Sequence, residues 1–184
     1  NEDTCYMAAY ADSLPALRFA HENSCPWDER VVSMAAKYGR EACLSYALDR
    51  GCPVTSIAMY NAAGFGQLAC LQTLHRCGAP CDALASIHAV ENGELECLAF
   101  LMDNGYPMGT SVPLIAARLG FVECLQYALD HGCAYHPSIM YNASLHNQLA
   151  VMNFLIHSGY YVSTDDGMDA EVDTDIDTDV DTDI

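Results

Sequence analysis

A 27-residue period runs through this chain without drift, and it limits the fold more tightly than anything else in the sequence. Gly51, Gly78, Gly105, Gly132 and Gly159 lie 27 residues apart, with Ser24 at the same point before them. Cys43, Cys70, Cys97 and Cys124 keep the same spacing, flanked by Ala16 and Val151. Ala8, Ala35, Ala62, Ala89, Ala116 and Ala143 are alanine in every copy. Six units fill residues 1–162: 1–27, 28–54, 55–81, 82–108, 109–135 and 136–162. Self-similarity at a fixed period of this length marks an architecture in which each unit hides its apolar face against the next.

Each unit reads as two helices, so the expected fold is all-α, a solenoid of stacked helix-turn-helix repeats. The first helix opens near Asp28, Thr55 or Asp82. Their side chains can accept from free backbone N–H groups at a helix start. Gly109 and His136 hold that phase in the later units, with Thr110 and Ser138 close by. The helix stops at Gly39, Gly66, Gly93 and Gly120, or at Asp12 and Asn147 in the end units. These residue types tolerate left-handed backbone, which predicts a positive-φ turn there. The second helix runs from about Glu41 to Arg50, with Leu17, Leu44, Leu71, Leu98, Leu125 and Met152 in one position. Pro26, Pro53, Pro80 and Pro107 follow the second turn and block continuation. An alanine in every unit suits close approach of helices.

Charge is unevenly distributed. The 184 residues carry a net charge of −18, and ten of the 25 acids fall in 163–184 without a base. The remaining 15 acids face seven Lys and Arg and leave no basic stripe, so nucleic-acid binding is not expected. The closing AEVDTDIDTDVDTDI would set its Asp row on one face of a strand, or would repel itself as a disordered tail. Both readings stay open. No run reaches the roughly 20 apolar residues of a membrane span. No charged start leads into an apolar run, so no signal peptide is expected in these residues.

Ten cysteines raise the question of a disulfide framework. Cys43, Cys70, Cys97 and Cys124 occupy one helix position, however, and stacked helices lie about 8–10 Å apart. A disulfide needs Cα atoms within about 7 Å. These residues are therefore expected to pack as small apolar groups in a reducing, cytoplasmic setting. His75, Cys77 and Cys81 make a His-x-Cys-x-x-x-Cys group around a turn, the weak metal candidate of the chain. A structural zinc site takes four ligands, and no fourth is evident. No Gly-rich phosphate loop, HExxH or GxSxG is present, so neither a catalytic site nor a cofactor is expected.

The order Ala-Ala-x-x-Gly, then Leu-Glu-Cys-Leu, then Leu-x-x-Gly resembles the ankyrin repeat. Ala116-Ala117-Arg118-Leu119-Gly120 and Val122-Glu123-Cys124-Leu125 carry it best. The unit is shorter than the usual ankyrin unit of about 33 residues and lacks the Thr-Pro-Leu-His start. The resemblance therefore implies a solenoid without long β-hairpin fingers. Cys25-Pro26-Trp27-Asp28 is similar to a divergent repeat type of protist, algal and giant-virus arrays. The resemblance also implies a non-catalytic scaffold or adaptor that binds a protein partner. Its concave face would carry the two residues after Ala-Ala: Tyr10-Ala11, Lys37-Tyr38, Gly64-Phe65, Glu91-Asn92, Arg118-Leu119 and Leu145-His146. Lys37, Tyr38, Phe65, Glu91, Asn92, Arg118, Leu119, Leu145 and His146 are the candidate binding residues. A structural subunit is the alternative. The last helix, LAVMNFLIH, carries no acid, Lys or Arg, and an end without such a charged cap could self-associate into oligomers or filaments.

Overall fold

A computed structural model describes residues 3–160, so the acidic tail expected at 163–184 lies outside the described residues. Among the described residues twelve helices form six antiparallel pairs. In order they are α1 (Asp3–Tyr10) with α2 (Leu14–Glu22), α3 (Glu29–Lys37) with α4 (Glu41–Asp49), and α5 (Ser56–Gly64) with α6 (Leu68–Arg76). They continue as α7 (Ala83–Glu91) with α8 (Leu95–Asp103), α9 (Val112–Leu119) with α10 (Val122–Asp130), and α11 (Ser138–Leu145) with α12 (Leu149–His157). No strand occurs among the described residues. Helices of eight or nine residues are too short to persist alone in water, so packing must hold them.

The turn inside each pair depends on one backbone bond. The carbonyl of the recurrent alanine accepts from the N–H five residues on: Ala8 from Ser13 at 2.9 Å, Ala35 from Arg40 at 2.8 Å, and Ala62 from Gln67 at 2.9 Å. Ala89, Ala116 and Ala143 accept likewise from Glu94, Phe121 and Gln148 at 2.9, 3.0 and 2.8 Å. This closure requires a left-handed residue between donor and acceptor. Gly39 holds it at φ 69°, and Asp12 and Asn147 hold it at 56° and 55° in the end repeats. The same closure ends the second helix, where Cys52 donates to Ala47 at 2.9 Å and Gly51 sits at φ 75°.

Two helix layers result, with odd-numbered helices stacked on one another and even-numbered helices stacked beside them. The odd-numbered layer is the more closely packed of the two. Ala35, Ala62, Ala89, Ala116 and Ala143 are fully buried where these helices approach. Leu17, Leu44, Leu71, Leu98 and Leu125 are fully buried along the core. Replacing one of them by Ala would cost about 2–5 kcal/mol. The glycine turns also take part in stacking. A Cβ on Gly39, Gly66, Gly93 or Gly120 would overlap Gln67, Glu94, Phe121 or Gln148 of the next repeat.

Capping follows the expected pattern in the earlier units. Asp28 accepts from the Arg30 N–H at 3.0 Å and Asp82 from the Leu84 N–H at 2.9 Å. Thr55 sits at the cap of α5 without a side-chain bond. The last two units depart from the expected start at Gly109 and His136. There α9 begins at Val112 and α11 at Ser138, behind Ser111 and Pro137. Gly109 has no side chain to cap with, and its N–H donates instead to Ser86 Oγ at 3.1 Å. Pro113 and Pro137 then fall at the helix start, where a missing N–H costs nothing.

Ser24 stands where the other five units have glycine, at φ 57°. The Ser24→Gly variant should be more stable by about 0.5–1 kcal/mol, since the strain removed exceeds the entropy lost. A urea titration should show a higher midpoint at an unchanged slope.

Candidate protein-binding face

The candidate residues lie at the C-terminal ends of the odd-numbered helices. Lys37 ends α3 and Tyr38 caps it, and Gly64 and Phe65 do the same for α5. Tyr38, Phe65, Leu119 and Leu145 are exposed, and so are Glu91, Asn92, Arg118 and His146. Lys37 is half-buried. Its burial comes from the rings beside it. Lys37 Nζ stands 5.4 Å from the Tyr38 ring centre and 4.6 Å from that of Phe65. Contacts of this kind are worth about 0.5–1 kcal/mol at exposed sites.

The rings continue on both sides of the lysine. Tyr10 meets Tyr38 edge-to-face at 5.2 Å. Phe65 meets His88 edge-to-face at 5.6 Å, and His88 lies flat on Tyr60 at 3.9 Å. His88 Nδ1 donates to the Tyr60 carbonyl at 3.1 Å, because a carbonyl oxygen can only accept. The row thus joins repeats one to four. Beyond it the same positions hold Asn92, Leu119 and His146, and the face becomes aliphatic and polar. Ion pairs among the described residues join Arg30 to Asp3 and Asp28, and Arg40 to Asp12. Lys37 and Arg118, which share one repeat position, have no carboxylate partner among them.

His88 and Tyr60 escaped the sequence reading, which followed only the pair after Ala-Ala. Gly64 was the available signal. It is a lone glycine inside a helix, where other repeats have Tyr, Lys, Glu, Arg or Leu. A Cβ there would overlap the His88 ring, so Gly64 makes the space in which His88 stacks.

The metal candidates do not converge. His75 Nδ1 lies 2.6 Å from the Tyr106 hydroxyl, and its ring stands edge-on to Phe100 at 5.5 Å. Cys77 is exposed, while the Cys81 thiol faces the Asp82 carbonyl at 3.6 Å. Among the described residues, no three His, Cys, Asp or Glu are placed to hold a metal ion. His21, in the same repeat position as His75, is held differently, 3.0 Å from the hydroxyl of Tyr46 (the counterpart of Phe100) and stacked on Trp27 at 3.9 Å.

The ten cysteines are free thiols. Burial pushes the Cys97 thiol up to about 12, helped by Glu94 and Glu96. Burial with Asp28 nearby does the same to Cys52, whose thiol donates to the Asp28 carbonyl at 3.2 Å. At pH 8 such groups are thiolate in roughly one molecule in ten thousand, too few to react readily.

Residues 86–166 match the family described as ankyrin repeats, three copies. The whole fold is similar to the crystal structure of the human ASB11 ankyrin repeat domain, with a TM-score of 0.74 and 20% identity. The likeness covers 86% of this chain and 85% of that one. None of the curated proteins compared with the chain matches it. Residues 86–166 thus read as ankyrin repeats by sequence, and the chain shares the ankyrin-repeat fold over most of its length. Among the described residues no helix is long and apolar enough to cross a membrane.

Two outcomes are expected. Iodoacetamide at pH 8 should label Cys77 first and leave Cys52, Cys70, Cys97 and Cys124 unmodified until unfolding, read by peptide mass spectrometry. Gly64→Ala should expel His88 from its stack and destabilise by about 1–2 kcal/mol, the overpacking cost less the helix propensity regained. Ring-current shifts of the Tyr60 protons in NMR should collapse in that variant.

Proposed function

We propose that this chain is a non-catalytic scaffold that binds a protein partner along the inner stripe of its odd-numbered helices. Ankyrin repeats are general protein-interaction modules, which supports the class of function. The observation carrying the finer reading is Lys37, held between two exposed rings and free of any carboxylate among the described residues. A cation with aromatic walls, continued by Tyr10 on one side and His88 on the other, suits an acidic or carbonyl-rich segment flanked by apolar side chains. Tyr and Arg are favoured at energetic centres of interfaces, and exposed apolar patches mark such sites. Glu91, Asn92, Arg118, Leu119, Leu145 and His146 extend the surface along the later repeats. The free thiols suit a reducing compartment, and we place the chain in the cytoplasm.

The stripe is tested with a double variant, Tyr38→Ala with Phe65→Ala, against a control changed on the even-numbered layer at Gln72 and Gln126, both exposed. Quantitative pull-downs should lose a defined set of proteins about tenfold or more with the stripe variant and keep it with the control. Equal recovery with both would sink the reading. The control should melt as the parent does, while the stripe variant loses the ring contacts to Lys37, Tyr10 and His88 and should melt somewhat lower, so binding is compared well below both transitions.

A further inference from the structure

Lys37, Glu91 and Arg118 hold one position in repeats two, four and five, and Gly64 holds it in repeat three. Along these internal repeats the stripe reads cation, neutral, acid, cation. Glu91 and Arg118 are exposed, and their helices α7 and α9 pack together. Neither has an ion pair among the described residues, although their charges are opposite. Lys37 is likewise without a carboxylate and stands between the Tyr38 and Phe65 rings. Arg30 and Arg40, which lie off the stripe, pair with acids of the chain itself. The stripe thus holds charges that the fold does not use.

Their spacing suits one kind of occupant. Stacked helices lie about 8–10 Å apart, so Lys37 and Arg118 stand about 24–30 Å apart, with Glu91 about two thirds of the way along. An α-helix rises about 1.5 Å per residue, so about 18 residues cover the whole distance and about 11 reach Glu91. Those separations are close to five and to three whole turns, at about 3.6 residues per turn. A helix lying along the stripe therefore keeps one face towards all three charges. An extended segment would gain no backbone hydrogen bonds here, because no strand occurs among the described residues. A helix brings its backbone already bonded.

We propose that the stripe takes an amphipathic helix of a partner protein, with an acid, a base about 11 residues on and a second acid about 18 residues on. The base faces Glu91 and the acids face Lys37 and Arg118. The inference rests on the stripe being the binding surface and names what binds there. Apolar side chains one turn from the acid at Lys37 meet Tyr38 and Phe65, and these walls keep water from that ion pair. Glu91 and Arg118 lie beside Asn92 and Leu119, in more open surroundings, so they set register more than affinity. The order of charges is unsymmetrical. Read from its other end, the same helix has its base about 7 residues after the first acid. The pattern therefore also fixes the direction in which a given helix lies, since the reverse sets its base away from Glu91.

The test uses the full chain and three synthetic helical peptides of about 25 residues, each with leucines one turn either side of the first acid. The matching peptide carries the proposed charges. The reversed peptide exchanges every sign. The displaced peptide moves the base two residues back, which turns it about 180° from the acids. Fluorescence anisotropy at low salt should show the matching peptide bound at least about tenfold more tightly than either control. Added salt should shrink that preference. Glu91→Lys combined with Arg118→Glu exchanges two exposed charges and leaves Lys37 and its rings in place, so circular dichroism should be unchanged. That variant should prefer the reversed peptide, which now meets two opposite charges where the matching peptide meets one. A matching peptide that does not bind, or binds no better than its controls, would overturn the proposal. A variant that keeps the parent's preference would overturn it too. Where the Tyr38→Ala, Phe65→Ala variant still loses its proteins in the pull-down, such a failure falls on the helix and not on the stripe.

Discussion

The hydrogen bond that the recurrent alanine carbonyl accepts from the N–H five residues on closes every helix pair among the described residues. It ends the first helix, reverses the chain through a left-handed residue and sets the second helix beside the first. Neither helix is long enough to be stable alone, so the reversal and the packing it permits form together. The alanine serves twice. Its carbonyl closes the turn and its methyl group keeps the neighbouring helix close. A larger residue would leave the bond possible and push the stack apart. The glycine after it also serves twice, supplying positive φ and leaving room for a side chain of the next repeat.

The backbone so constrained leaves other positions free. The pair at the end of each odd-numbered helix lies outside the core, so it varies from repeat to repeat while the fold does not. Tyr, Lys, Gly, Glu, Arg and Leu succeed one another at a single position without disturbing the stack. The cysteines are the reverse case. They recur because a small apolar group fits between layers, and burial that raises the Cys70, Cys97 and Cys124 thiols to about 11 or 12 also suppresses their reactivity.

Much of the fold was legible in the residues. Gly39, Gly51 and their equivalents announce left-handed turns, and Asp28 and Asp82 announce helix starts, because backbone preference and capping act within a few residues. At Gly109, which has no side chain to cap with, and at His136, whose Nδ1 accepts from the Ser138 N–H, the helices begin later than their phase suggests. The site was legible in part. Tyr38 and Phe65 could be placed on an exposed stripe from their repeat position. That Lys37 lies between their rings could not, nor that His88 would enter the space left by Gly64. Each involves side chains from different repeats, whose meeting depends on helix spacing and rotamer.

The sequence by itself determined the period, the helix pairs, the sign of φ at the turns and the alanine and leucine positions of the core. These follow from local preference repeated in phase, and every copy restates them. The tertiary structure alone decided which residues meet across repeats. Phe121 covers the Gly93 turn, His75 reaches the Tyr106 hydroxyl, and His88 lies on Tyr60. Such contacts join residues about one period apart, and the separation of the stacked helices selects among them. No local preference encodes that distance.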